Sequence, residues 1–145
     1  MTILELCDPK PATVSLQASV AEAVRLMLQE HVGAVAVTDD EQRVAGIFTE
    51  RDVLQKLALA KRDPDQIPVR EFMTTPVEMA TLATSPGEAL ANMIERHYRH
   101  LPVVDDQGKL LGMLSIRHVL QWRVDDLTHE LDSIESYMSN DGPGG

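Results

Sequence analysis

The sequence predicts an α/β fold in which one small unit is used twice, followed by a helical extension. Three observations predict it. First, sliding the chain against itself by 66 residues aligns Val14–Lys56 with Ala80–Trp122 without a gap. Leu16, Ser19, Glu22, Ala23, Met27 and His31 then fall on Leu82, Ser85, Glu88, Ala89, Met93 and His97, and Gly46, Arg51, Val53 and Leu54 on Gly112, Arg117, Val119 and Leu120. Second, the apolar spacing within each copy alternates between strand and helix periods in the order strand, helix, strand, strand, helix. Third, Leu127, Leu131, Ile134 and Met138 continue at helical spacing past the repeat, on otherwise acidic sequence. That stripe is expected to pack on its own protein or on a twin subunit.

Each element has a local reason. Val14–Leu16 reads as a short strand. Ser19 and Glu22, three apart before an apolar-periodic run, form a capping-box pattern. Ala23, Val24, Met27 and Leu28 share one face of the helix that follows, which ends near His31 and Gly33. Ala34–Thr38 and Val44–Phe48 flank the polar turn Asp39-Asp40-Glu41-Gln42 and read as a hairpin. A helix from Glu50 to about Ala60 closes the unit. In the second copy Met79–Leu82 is the first strand and Ser85 caps a helix with Pro86 at its first position, where proline is tolerated. Leu101–Val104 and Lys109–Leu114 form the second hairpin. The units span 1–62 and 77–124, a proline-punctuated link covers 63–76, and 125–145 is an acidic helical tail with a frayed end at Asn140–Gly145.

Composition bounds the function. The 145 residues are 43% apolar and carry a formal charge of −10, a balance that suits a globular core and disfavours nucleic acid as a partner. No apolar run approaches a membrane span, the N-terminus lacks signal-peptide features, and Cys7 is the single cysteine, so no intrachain disulfide is expected. These features point to a cytoplasmic protein. No catalytic constellation stands out, and no enzyme activity, required cofactor or metal is expected. His97, His100 and His118 are the tempting metal trio. His97 has its counterpart in His31, however, and both sit at helix ends, where an imidazolium is favoured by the dipole.

The stretch with chemical potential is Gly46-Ile47-Phe48-Thr49-Glu50-Arg51-Asp52 at the junction of strand and helix. Two roles fit Thr49 and Asp52. They cap the helix, or they hold a ligand, because a carboxylate accepts two hydroxyl donors and the open N–H groups of a helix start suit an anion. The echo Gly112-Met113-Leu114-Ser115-Ile116-Arg117-His118 replaces the carboxylate with an imidazole, which could fill its cleft or recognise a different ligand. Arg51 and Arg117, cations at helix starts, need a compensating partner, either a phosphate or a carboxylate.

The repeated unit with Gly-x-x-Thr/Ser-x-x-Asp at its last junction resembles a tandem pair of CBS (cystathionine-β-synthase) domains over roughly residues 1–125. Phe72-Met73-Thr74 and His100-Leu101-Pro102-Val103-Val104-Asp105 support the resemblance. It implies two pseudo-symmetric clefts between paired units, with AMP, ADP or ATP as ligand. Carried onto this sequence, Thr49 and Asp52 would hold ribose, Ile47 with Thr13 and Val14 would wall the adenine, and Arg99 and His100, with Arg51 nearby, would meet phosphate. The second cleft, built from Ser115, His118 and Met113 with Gly33 and Ala34, would lack both carboxylate and cations. One competent site per chain is therefore expected, in the first cleft. The resemblance further implies a regulatory, energy-sensing homodimer that passes occupancy to its own assembly or to an unidentified regulated protein. The alternative is a ligand-free dimerisation or adaptor module whose motif is only a helix cap.

Overall fold

A computed structural model describes residues 2–140; most of the expected frayed end lies outside the described residues. The first unit contains β1 (Thr13–Ser15), α2 (Val20–Glu30), β2 (Ala34–Thr38), β3 (Val44–Thr49) and α3 (Glu50–Asp52), which continues as a π-helical turn over Val53–Leu57. The second repeats it with β4 (Ala80–Thr81), α5 (Pro86–Arg96), β5 (His100–Val104), β6 (Leu110–Ser115) and α6 (Ile116–Asn140). Two short helices precede the units, α1 (Ile3–Leu6) and α4 (Val69–Phe72).

Each unit forms a three-stranded sheet with the same order and sense. β1 runs parallel to β2 and β2 antiparallel to β3, and β4, β5 and β6 repeat the pattern. A helix must separate parallel neighbours, so α2 and α5 are crossovers that pack their apolar faces on the sheets. Ser19 and Ser85 cap these helices through bonds of 3.1 Å from the N–H groups of Glu22 and Glu88. The helices end on His31 and His97, whose φ angles of 56° and 61° lie in the left-handed region. Histidine is among the non-glycine residues that tolerate this region, which gives the paired histidines a structural role.

The stretch 63–76 is built into the fold. Ile67 and Val69 are fully buried in the first unit's core, beside Val20, Val35, Val37 and Phe48. Its 66-residue counterpart behaves the same way in the opposite unit, because Ile3 and Cys7 are buried among Ala89, Met93, Leu101, Leu114 and Val119. Each N-terminal segment therefore completes the other unit's core. Ile47 and Thr74 exchange backbone bonds of 3.1 and 2.8 Å, and Met113 and Asp8 do so at 3.1 and 2.9 Å. Gly46 and Gly112 are required at these crossings. A Cβ at Gly46 would stand 3.1 Å from the Thr74 carbonyl oxygen, and one at Gly112 would stand 2.8 Å from that of Asp8. Between the sheets lies a small shared core of Ala34, Ala36, Ile47 and Met113.

Candidate functional site

Thr49 ends β3 in extended conformation and caps α3. Its hydroxyl accepts from the Asp52 N–H at 3.3 Å, and Asp52 Oδ2 accepts from the Thr49 N–H at 3.0 Å. The other carboxylate oxygen accepts from Thr74 Oγ1 at 2.9 Å and pairs with Lys56 Nζ at 3.0 Å. Asp52 is 3% exposed and is the one buried charged residue among those described. Both of its oxygens are thus engaged inside the protein. A ribose diol at Asp52 would therefore have to compete with Thr74 and Lys56 for the carboxylate.

Arg51 donates to the His97 carbonyl at 3.2 Å. That oxygen lies at the C-terminal end of α5, whose dipole compensates the cation; the partner is neither phosphate nor carboxylate. Ile47 is buried in the core between the sheets. Val14 packs on the first unit's own core while Thr13 is exposed. It is Thr74 that lies against that motif, because the exchanged segment and not β1 crosses there.

The open concavity is on the other side. A cavity of about 910 Å³ is lined by all the residues assigned to the second cleft: Ser115, His118, Met113, Gly33 and Ala34. Arg99 and His100 line it too, whereas Thr13, Val14, Ile47, Thr49, Arg51 and Asp52 do not. The β5–β6 register explains the grouping. His100 pairs with Ser115, and the Ile116 N–H donates to the Arg99 carbonyl at 2.9 Å. Arg99 and His100 are thus cross-strand neighbours of their own unit's motif. His100 also reaches the first unit, since a Cβ on Gly33 would lie 3.2 Å from its Cε1 and 3.3 Å from Glu50 Cδ. A larger residue at 33 would block this approach.

The cavity combines an apolar wall with a polar end. Pro11, Ala12, Val24, Met27 and Met113 supply apolar surface, and Arg99, Arg117, His100 and His118 supply nitrogen donors. Ser115 caps α6 by accepting from the His118 N–H at 3.3 Å. Burial pushes the His100 imidazole below its ordinary value; Glu50 opposes that shift and Arg99 adds to it. Asp8 also lines the cavity. It is the 66-residue counterpart of Thr74, as His118 is of Asp52. The carboxylate and its neighbour have exchanged sides between the two clefts, and residue-by-residue comparison of the motifs alone hides this. Among the described residues no group of three or more His, Cys, Asp or Glu could hold a metal ion.

Two copies of one unit, joined by exchanged segments with clefts between them, agree with what comparison with known proteins finds. The family model described as CBS domain matches twice, over residues 3–59 and 69–125. The chain belongs to the CBS-domain family. The second match begins inside the stretch read as a link, in keeping with the buried Val69. This tandem CBS pair is 35% identical over 123 residues to an uncharacterized 17.7 kDa protein of Acidianus ambivalens, covering 85% of this chain and 73% of that one. A solved CBS-domain-containing protein from Agrobacterium tumefaciens superposes with a TM-score of 0.74 at 30% identity, over 85% of this chain and 99% of the other. The structure of CBSX2 in complex with AMP superposes with a TM-score of 0.73 at 27% identity, over 86% and 96% of the two chains. Other relatives are longer, and the chain spans 52%, 19% and 60% of the lengths of three of them. Among the described residues no helix is long and apolar enough to cross a membrane.

Proposed function

We propose that this CBS pair is a regulatory module that binds an adenosine nucleotide in the cavity bordered by Ser115 and His118, and that occupancy alters its self-association or its affinity for a regulated protein. The observation that carries this reading is the convergence of Arg99, Arg117, His100 and His118 on one cavity of about 910 Å³ with an apolar wall. That size and lining suit a nucleotide-sized ligand. The CBSX2 complex with AMP supports the choice of ligand class. In this reading the base lies against Pro11, Ala12 and Met113, and the arginine and histidine nitrogens meet the phosphate. Asp8 offers the ribose the carboxylate that His118 replaces in the motif. The ligand changes assembly only through different affinity for two states.

Titration calorimetry with AMP, ADP and ATP tests this, with one site per chain expected. Arg99→Ala and His118→Ala each remove a charged or polar contact and should weaken binding about tenfold or more. Asp8→Asn should weaken AMP but leave 2′,3′-dideoxy-AMP unaffected. Asp52→Asn should cost stability and leave affinity nearly unchanged. Loss of binding in a folded Asp52→Asn protein, with Arg99→Ala and His118→Ala silent, would move the site to the Thr49 cleft. Failure of every adenosine ligand, S-adenosylmethionine and NAD included, would leave a ligand-free adaptor, a reading that the complete capping box at Thr49 and Asp52 favours for that motif.

A further inference from the structure

α6 runs from Ile116 to Asn140 and outlasts the body it packs on. Its early turns give Ile116, Val119 and Trp122 to the second unit's core. Asp125, Asp126 and His129 then face the groove beside α1, along with Glu5 and Pro9. At about 100° per residue Val119, Trp122, Asp125, Asp126 and His129 share one side of the helix. Leu120, Val124, Leu127, Leu131, Ile134 and Met138 occupy the far side, between 41% and 65% exposed. Their spacing alternates four and three residues without a break, which is the a/d seam of a coiled coil. No part of the described chain covers it.

We infer that this seam binds the same seam of a second copy as a short antiparallel two-stranded coiled coil. Charge chooses both the occupant and the direction. With Val124 at an a position, Arg123 and Glu130 fall at g, and Thr128 and Glu135 at e. In a parallel pair g faces e of the next heptad, which sets Glu130 against Glu135 of the second copy, twice by symmetry. In an antiparallel pair g faces g, which sets Arg123 against Glu130 of the second copy, also twice. The antiparallel register stacks Val124 on Ile134, Leu127 on Leu131, and Leu120 on Met138 of the second copy, so every apolar seam residue finds a partner. Arg123 now bonds Asp126 on its own helix at 3.0 Å and is exposed, so it is free to turn to the second copy. This dimer is built from residues outside the proposed nucleotide site and stands whether or not that site binds.

The sign of one charge change separates the arrangements. Sedimentation equilibrium of the full chain should show Glu130→Lys weakening self-association about three- to tenfold, as two surface ion pairs become repulsions. Arg123→Glu in the same chain should restore it. Stronger association of Glu130→Lys would mean a parallel pair, and no change would place any dimer elsewhere; either overturns the inference. A second readout is disulfide capture, made simple because the one native thiol, Cys7, is buried. Co-expressed Val124→Cys and Ile134→Cys chains should give a mixed disulfide dimer on oxidation, and Val124→Cys alone should not. Capture of Val124→Cys alone, or no capture in the mixture, would also sink it.

Discussion

Asp52 and His118 occupy equivalent positions and do different work because their neighbours differ. The motif pattern correctly marks both as junction residues, and the Thr49 cap was legible from spacing alone. What spacing could not show is that Thr74 and Lys56 saturate Asp52, since one lies 22 residues away on an exchanged segment. His100 supplies the residue-scale prediction. Its folded value lies below the ordinary 6.5 because burial disfavours the cation. On acidification the unfolded chain therefore takes up a proton at this position before the folded chain does. The contribution of His100 to stability is full above about pH 6.5 and is lost as the pH falls toward the folded value. Denaturant unfolding between about pH 8 and pH 5 should show a loss of stability that begins near 6.5 and is reduced in His100→Gln. The same proton links to ligand. If a phosphate meets His100, it raises the imidazole's proton affinity, and binding should take up protons. Calorimetry in buffers of different ionisation enthalpy reads that uptake.

The strands, the crossover helices and their caps follow from local pattern, and the structure places them close to the expected bounds. α1 and the 63–76 stretch did not follow, for a physical reason. A four-residue helix has too few positions to display a period, and prolines at 64, 68 and 76 look the same whether the segment is free or docked. The signal present was the 66-residue equivalence of Ile3–Asp8 with Val69–Thr74, in which Glu5 on Glu71 is the single identity and the rest of the likeness is apolar character at the buried positions. Because Ile3 is 1% exposed within the second unit's core, Ile3→Ala should destabilise that unit by about 2–5 kcal/mol. Hydrogen exchange should speed up in β4, β5 and β6 before it does in β1, β2 and β3. Faster exchange confined to the first unit would show that the exchanged packing is wrong.

At the scale of the whole molecule, the exchange makes the two repeats one cooperative body even though each looks complete in sequence. Repeats reveal the internal order of a unit, but they do not reveal which copy a connecting segment belongs to, because that depends on contacts between distant residues. The first unit's core lacks Ile67 and Val69 if the chain is cut at 62, and the second lacks Ile3 and Cys7. A chain of about 60 residues is marginal even with its whole core; without two fully buried side chains it falls short. Residues 1–62 alone should thus give a collapsed, poorly dispersed NMR spectrum, and 63–145 alone a weakly stable one. Mixed in equal amounts, the fragments should recover the dispersion of the intact chain, since each returns the segment the other needs. A well-dispersed spectrum from 1–62 alone would mean that the unit folds without its exchanged partner. In that case the burial of Ile67 and Val69 would add stability to a domain already formed rather than complete it.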